Sequence, residues 1–195
     1  MQIRCALVGM PGSGKSTVGK QLAQRQGVPF IDLDHELEAV LKTSIRHFFE
    51  AEGEARFRDM EAQVLADVTA RPGGMVLSTG GGAVLRPENR EVLRRFGNVL
   101  YLRAAPEEIF KRVKHDRTRP LLQVANPLQK LRELYAQRDA LYRETATYVI
   151  ETGRPTVQTL VNMIMMQLEM AQSAQVPAGQ ELPVYTAETQ SLLKQ

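Results

Sequence analysis

The sequence predicts an α/β protein of three layers, in which helices cover both faces of a five-stranded parallel sheet. Short apolar runs alternate with helix-like segments along most of the chain, which is typical of strands joined by crossover helices. A glycine-rich turn separates the first apolar run from the first helical segment. The length of 195 residues suits one domain with a substantial core, so we predict a single domain over residues 1–173.

The predicted elements follow one another in a regular order. The five strands are the segments IRCALVG, VPFIDLD, GGMVLSTGGG, NVLYLRA and TYVIET. The longest helices are expected in IRHFFEAEGEARFRDMEAQVLADVTA and LQKLRELYAQRDALYRETA. Turn-forming residues interrupt the pattern at about residues 112–126, where we expect a mobile lid. Residues 174–195 are polar and broken by prolines, so we expect a mobile tail there.

Composition excludes several classes of protein. Cys5 is the only cysteine and lies in the first apolar run, which excludes a disulfide scaffold and favours a reducing, cytoplasmic setting. No apolar stretch approaches the ~20 residues that cross a bilayer, so we expect no membrane association. The net charge of +3 is too small to indicate nucleic-acid binding, but it suits a small anionic substrate.

The segment GMPGSGKST (residues 9–17) fits the phosphate-binding pattern G-x-x-x-x-G-K-[ST]. Glycines let backbone N–H groups converge on phosphate oxygens, and the helix that follows adds the positive end of its dipole. The lysine of the pattern reaches the β- and γ-phosphates, the serine offers a hydroxyl to Mg²⁺, and the threonine supports the same phosphates. The predicted nucleotide-binding residues of the loop are Gly12, Ser13, Gly14, Lys15, Ser16 and Thr17.

Other glycine-rich loops fit this segment less well. A dinucleotide-binding loop that starts at Gly12 would need glycine where Thr17 stands. The Asn-Lys-x-Asp string with which GTPases usually read guanine is absent from the sequence. A plain glycine-rich turn is the remaining alternative to a phosphate loop.

Polar residues at the ends of the second and third predicted strands are candidates for an acceptor site, because ligands of open parallel sheets bind beyond the carboxyl ends of strands. Asp32 and Asp34 are expected to share a strand face, where one could orient Mg²⁺ through water and the other could accept a hydrogen bond from a substrate hydroxyl. Gly80, Gly81 and Gly82 could offer backbone N–H groups to an anion or a hydroxyl. The alternatives are an aspartate that caps the next helix and a flexible loop.

Arginines on two predicted helices could bind an acidic acceptor. Arg58 lies three residues before Glu61, and Arg138 lies four before Tyr142, so each pair shares a helix face. A planar guanidinium suits bidentate binding of a carboxylate, although a surface ion pair is the default explanation for the first pair and the same surface role is the default for the second. Arg119 stands in the lid segment and could close over the γ-phosphate; the alternative is a solvated basic loop.

Together these motifs resemble the shikimate kinase family over about residues 3–170. The resemblance depends on GMPGSGKSTVG, FIDLD, SIRHFFEAEGEARFRDMEA, LSTGGGAV, RTRPLL and LYAQRDALYRETA, in that order. It implies a small P-loop kinase fold and ATP-dependent phosphorylation of the 3-hydroxyl of shikimate, in the synthesis of chorismate and the aromatic amino acids. Mg²⁺ would accompany ATP, and we expect a cytoplasmic monomer. Lys42 departs from the family pattern, which usually has glycine there.

The resemblance also implies roles for particular residues. Asp34 would hold the reacting hydroxyl, and Arg58 and Arg138 would grip the carboxylate of shikimate beside the three glycines. Ser16 and Asp32 would organise Mg²⁺. The residues implied around the transferring phosphate and the adenine of ATP are Arg112, Arg119, Arg154 and Pro155. The catalytic residues would be Lys15, Asp34 and Arg119.

Two other hypotheses stay open on the sequence alone. A kinase of the same architecture could act on another small hydroxylated acid, such as gluconate, or on a nucleotide. A catalytically silent nucleotide-binding module could instead use its basic charge on nucleic acid, with an affinity that falls steeply with salt. The arginine pair and the triple glycine argue against the first hypothesis, and the presence of the catalytic residue types argues against the second.

Overall fold

The computed structural model describes residues 3–114, 124–153, 155–173 and 184–185, which form a parallel sheet between two layers of helices. The strands are Arg4–Val8 (β1), Phe30–Asp32 (β2), Met75–Ser78 (β3), Asn98–Arg103 (β4), Tyr148–Glu151 (β5) and Val184–Tyr185 (β6). The helices are Lys15–Gln26 (α1), Leu33–Leu41 (α2), Ile45–Ala70 (α3), Pro87–Phe96 (α4), Pro106–Val113 (α5), Pro127–Thr145 (α6) and Val157–Ser173 (α7).

The sheet has the strand order β2-β3-β1-β4-β5-β6, and each neighbouring pair is parallel. All carboxyl ends therefore lie at one edge of the sheet. The five predicted strands are confirmed, and the two-residue β6 adds a sixth beside β5, within the predicted tail. The remainder of that tail, residues 174–183 and 186–195, lies outside the described residues, as do residues 115–123 of the predicted lid.

Side chains of the central strand β1 alternate between the two halves of the core. Cys5 and Leu7 pack with α1 and α7 on one face of the sheet, whereas Ala6 and Val8 pack with α2 to α6 on the other. All four side chains are fully buried. Because both faces are covered, the strand is a continuous apolar run, and it gives the phosphate loop a rigid starting point.

The second strand is shorter than the sequence predicts. The side chain of Asp32 accepts a hydrogen bond from the N–H of Asp34 (3.1 Å) and thereby caps α2, which begins at Leu33. The prediction that Asp32 and Asp34 share a strand face is therefore wrong. Asp32 ends the strand and Asp34 lies in the first turn of the helix, so the cap keeps both carboxyl groups at the same edge of the sheet.

Two backbone positions shape the helices on the acceptor side. Gly53 interrupts α3 with φ 79° and ψ 172°, a conformation that favours glycine. It divides α3 into two helical segments, and Arg58 lies on the second. Lys42 ends α2 with φ 56° and is the only non-glycine residue of positive φ in the described ranges. It adopts the left-handed conformation for which glycine is the usual residue after a helix. None of the described helices combines the length and apolarity that crossing a bilayer requires.

Candidate active site

The phosphate loop (residues 9–17) joins β1 to α1 and needs its glycines for geometric reasons. Gly9, Gly12 and Gly14 have φ angles of 145°, 82° and 100°, which residues with side chains rarely adopt. A Cβ on Gly12 would also lie 2.8 Å from Val113 Cγ1. Gly14 caps α1, so the unpaired N–H groups and the positive dipole end of that helix belong to the loop. This geometry suits an anion.

Lys15 is held against the phosphate loop. The residue is buried, and its Nζ donates to the carbonyl oxygens of Gly9 (2.9 Å) and Met10 (3.0 Å). Carbonyl acceptors keep the ammonium in place without neutralising its charge. The charge is thus fixed where a phosphate on the loop would meet it.

Ser16 and Asp32 meet between α1 and β2. The Ser16 hydroxyl donates to Asp32 Oδ2 at 2.9 Å, while Asp32 Oδ1 accepts the cap bond of α2. Hydroxyl and carboxylate oxygens are ligands that Mg²⁺ prefers. In the described part of the chain no group of three or more His, Cys, Asp or Glu side chains could hold a metal. A magnesium ion bound here would therefore also depend on phosphate and water oxygens, which is usual at nucleotide sites.

The triple glycine lets charged side chains approach one another closely. An ideal Cβ on Gly80 would lie 2.9 Å from Asp34 Oδ1 and 3.3 Å from Glu61 Oε1. An ideal Cβ on Gly82 would lie 2.7 Å from Arg58 Cζ. Side chains at these positions would therefore displace the charged groups. We define the acceptor pocket by the residues that meet here, namely Asp34, Arg58, Glu61 and residues 80–82, together with Arg138, whose charge acts on Glu61.

The acceptor pocket adjoins the phosphate loop through Gly81. An ideal Cβ on Gly81 would lie 2.8 Å from Pro11 Cδ, so the two loops are in contact. The carbonyl oxygen of Gly81 accepts a hydrogen bond from the hydroxyl of Tyr142 at 2.6 Å, which ties the triple glycine to α6. The sequence marks Tyr142 only by its spacing from Arg138. This contact between distant segments has no local signal.

Arg58 and Glu61 form a buried pair, so the default explanation of a surface ion pair is wrong. Arg58 donates to Glu61 Oε2 at 2.7 Å, and Glu61 is 1% exposed because α3 packs this face against the triple glycine. Burial raises the pKa of the Glu61 carboxyl, although the charge and hydrogen bond of Arg58 oppose the shift. The charges of Asp34 and Arg138 also act on Glu61, which places all four groups in one electrostatic cluster.

The two arginines of the pocket retain unused hydrogen-bonding capacity. Arg138 is 8% exposed, and the Arg58 side chain is 14% exposed. The Nε atom of each is buried and has no hydrogen-bond partner among the described residues. Buried donors without a partner are rare and unfavourable, so two in one pocket indicate a place for a ligand rich in acceptors, such as a carboxylate.

Asp34 stays accessible from the pocket, but its protein surroundings still remove much of the water around its carboxyl group. This desolvation raises the pKa of Asp34 above its usual value, and the negative charge of Asp32 raises it further. The positive charge of Lys15 acts in the opposite direction. A carboxylate of raised pKa is a better proton acceptor than an ordinary aspartate.

The side predicted to bind adenine is described only in part. Arg112 at the end of α5 donates to the carbonyl oxygen of Thr152, which follows β5. This bond ties α5 to the connection that leads to Pro155. Arg154 in that connection and Arg119 in the lid both lie outside the described residues.

A phosphate loop between the first strand and helix of a parallel sheet, with a pocket of arginines and acids beside it, defines a P-loop kinase for a small acidic acceptor. A family model described as shikimate kinase matches residues 11–169. The chain belongs to the shikimate kinase family, and it is therefore a kinase that uses ATP.

Individual relatives agree with the family model. A shikimate kinase of Ralstonia nicotianae is 55% identical over 172 residues, which cover 88% of this chain and 90% of the relative. One of Paracidovorax citrulli is 56% identical over 172 residues, with 87% and 94% covered. A solved shikimate kinase from Acinetobacter baumannii, in complex with shikimate, has a TM-score of 0.80 and 44% identity over 87% of this chain and 94% of that chain. These comparisons confirm the predicted three-layer fold.

Proposed function

We propose that this chain transfers the γ-phosphoryl group of ATP to the 3-hydroxyl of shikimate, a step in the synthesis of aromatic amino acids. The supporting observation is the acceptor pocket, where two arginines, whose buried Nε atoms have no partner among the described residues, and a carboxylate stand beside the phosphate loop. Shikimate has the matching chemistry, because its carboxylate suits the arginines and its hydroxyls suit the aspartate. The solved relative with bound shikimate supports the same assignment.

The nucleotide would bind along the carboxyl ends of β1 and its neighbours. Residues 12–17 would surround the β- and γ-phosphates, and Lys15 would neutralise charge on the transferring group. Arg119 would add a second positive charge when the lid at about residues 112–126 closes and excludes water. The residues proposed to flank adenine are Arg112, Arg154 and Pro155.

Ser16 and Asp32 fit the magnesium ion that accompanies ATP. Both supply hard oxygen atoms, and their direct hydrogen bond places them beside Lys15 of the loop. A magnesium ion held there would supply positive charge that offsets the charge of the phosphates. Asp32 has a further task in this chain, because its second oxygen caps α2 and so positions Asp34.

Asp34 would orient the reacting hydroxyl while Arg58 and Arg138 bind the carboxylate of shikimate. The hydroxyl oxygen forms a bond to the γ-phosphorus as the bond from that phosphorus to the bridging oxygen breaks and ADP leaves. The hydroxyl proton passes to the carboxylate of Asp34. Backbone N–H groups of residues 80–82 would bind the acceptor from the other side. Most of the catalysis is positioning and charge stabilisation.

The catalytic unit would be a monomeric domain over residues 1–173. Support comes from the described helices and strands, which build the phosphate loop and the acceptor pocket from a single chain. A reducing, cytoplasmic setting would suit the single cysteine, which is fully buried.

An ADP-release assay with alternative acceptors tests the proposed function. We expect rapid ADP release with shikimate and at most slow release with quinate, gluconate and AMP. AMP has no carboxylate for the arginines, and quinate and gluconate carry theirs on a tetrahedral carbon, which changes the angle between the carboxylate and the hydroxyl that would meet Asp34. Phosphorus NMR of the product checks that the 3-hydroxyl carries the phosphate. Comparable kcat/KM for gluconate or AMP would contradict the proposal.

A further inference from the structure

Tyr101 occupies a central place that the mechanism above does not use. It lies on β4 opposite Val8, the last residue of the strand that leads into the phosphate loop. Its ring is fully buried and contacts the ring of Tyr142, with centroids 4.9 Å apart and planes tilted by 31°. Tyr142 in turn holds the triple glycine through its hydroxyl. Tyr101 therefore supports the triple glycine of the acceptor pocket indirectly, through the ring of Tyr142.

The hydroxyl of Tyr101 reaches a second wall of the pocket. It donates to Asp139 Oδ1 on α6 at 2.8 Å. Burial raises the pKa of Tyr101, and the bond to Asp139 raises it further, so the hydroxyl remains a donor. Hydrogen bonds from Arg143 and Tyr101 outweigh partial burial and hold the pKa of Asp139 below its usual range, so the acceptor remains a carboxylate.

Asp139 directly follows Arg138, so its position fixes the aim of that arginine. Successive side chains of a helix project about 100° apart. Tyr101 (2.8 Å) and Arg103 (3.5 Å) of β4 both contact Asp139 Oδ1, so the seating of Asp139 on β4 restricts the direction in which α6 presents Arg138. The Nε of Arg138 finds no partner among the described residues, but the side chain also donates a hydrogen bond to Tyr142 on the same helix, so the aim of the guanidinium depends on how α6 and the ring of Tyr142 are seated. Tyr101 therefore contacts α6 at two points three residues apart, through its hydroxyl at Asp139 and through its ring at Tyr142.

We propose that Tyr101 is a positioning residue for acceptor binding: through Asp139 it sets the rotation of α6 that directs Arg138 at the acceptor carboxylate. The inference rests on the proposed function, in which Arg138 binds that carboxylate. A guanidinium that is already aimed loses less conformational entropy when the ligand binds. The contribution should therefore appear in the capture of shikimate and not in the capture of ATP.

The test is Tyr101→Phe in the full chain, which removes one hydroxyl and keeps the ring. We expect KM for shikimate to rise roughly five- to tenfold, while KM for ATP and kcat at saturating shikimate stay within about twofold. Thr145→Val is the matched control. It removes a buried hydroxyl that belongs to α6 itself and whose bond goes to Leu141 of the same helix (2.7 Å), and it should leave KM for shikimate unchanged.

Asp139 variants separate positioning from a general loss of stability. If Tyr101 acts through Asp139, adding Tyr101→Phe to Asp139→Ala raises KM for shikimate no further. Asp139→Asn keeps an acceptor oxygen and should stay closer to the parent protein than Asp139→Ala. Equal changes in both KM values, additive effects in the double variant, or an equal effect of Thr145→Val would overturn the inference.

Arg138→Lys distinguishes failure of this inference from failure of the proposed function. If Arg138→Lys leaves the affinity for shikimate unchanged in calorimetric titration, Arg138 does not bind the carboxylate and the proposed function fails at that residue. If Arg138→Lys weakens shikimate binding but Tyr101→Phe does not, the assignment of Arg138 stands and the positioning role of Tyr101 is wrong.

Discussion

Asp34 combines two properties that suit a carboxylate at a site of phosphoryl transfer. It lies beside Gly80 in the acceptor pocket, and it is also close enough to Lys15 for the two charges to interact. Its raised pKa comes mainly from lost hydration and then from Asp32. Asp32 therefore has two effects on Asp34. Its charge raises the pKa of the Asp34 carboxyl, and its Oδ1 accepts a hydrogen bond from the backbone N–H of Asp34.

Asp34→Asn tests the catalytic role directly. We expect kcat to fall by about 100-fold or more, because the amide holds the hydroxyl but accepts no proton. The affinity for ATP should be unchanged, because the phosphate loop is not altered. Steady-state ADP release and calorimetric ATP titration measure the two effects. Turnover equal to that of the parent protein would remove Asp34 from the mechanism.

The raised pKa of Asp34 predicts the pH dependence of turnover. The carboxylate accepts a proton only while it is ionised, so kcat/KM for shikimate, which reports the free enzyme, should decline as the pH falls through the raised pKa. That acid limb should lie at a higher pH than the ordinary range of an aspartate. A pH profile of kcat/KM for shikimate at saturating ATP measures it. An acid limb at the usual aspartate value would argue that another group controls turnover.

Arg58→Lys tests the binding of the carboxylate. Lysine keeps the positive charge next to Glu61 but loses the planar pair of donors, so KM for shikimate should rise about tenfold or more. KM for ATP should stay the same. The matched control is Arg46→Lys on the same helix, where the exposed pair with Glu50 should contribute almost nothing. An equal loss for both substrates would instead indicate a structural role for Arg58.

At the scale of elements, helix ends place the acceptor pocket. The Asp32 cap starts α2 directly after β2, and Gly53 allows α3 to begin a second helical segment five residues before Arg58. Tyr142 then joins α6 to the triple glycine. Local backbone conformations thus place the α2 and α3 walls of the pocket, and a contact between distant elements places the α6 wall. Lys42, at the end of α2, has a positive φ angle that is unfavourable for a residue with a side chain.

Lys42→Gly should stabilise the fold. Lys42 is exposed at φ 56°, and a left-handed conformation costs a non-glycine residue about 1 kcal/mol, which glycine does not incur. The matched variant is Gly27→Ala at the end of α1, where φ is 63° and no atom lies within 4 Å of the new Cβ. It should destabilise by about the same amount. Chemical denaturation measures both, and two shifts of the same sign would contradict the explanation.

The whole molecule brings the two substrate pockets together because β2, β3 and β1 are neighbours in the sheet. Segments that follow these strands are far apart in sequence, yet Gly81 contacts Pro11. The parallel order places every strand end at one edge, and a short distance between phosphate and acceptor follows from topology. β6 lies at the opposite side of the sheet, beyond β5, where no acceptor residue is found among the described residues.

A chain that ends at residue 173 should keep its activity. Removing β6 leaves β1, β2 and β3 with their loops, so kcat and both KM values should stay within about twofold of the full chain. The free energy of unfolding should fall slightly, because β5 loses its edge partner. Parallel kinetics and denaturation of the two chains measure this. A large loss of kcat would show that the tail contributes to the site.

Local sequence patterns predict many of the elements and candidate site residues of this protein. The phosphate loop, the five strands and the candidate residues Asp34, Arg58 and Arg138 depend on glycine spacing, apolar runs and helical periodicity, which act over a few residues. The burial of Glu61, the bond from Tyr142 to Gly81 and the contact of Tyr101 with Asp139 have no such signal. Those contacts join residues that only packing brings together, and the same packing removes water from Asp34 and Glu61 and so shifts their pKa values. The sequence therefore determined which chemical groups are present and on which elements, whereas the tertiary structure decided their distances and their ionisation.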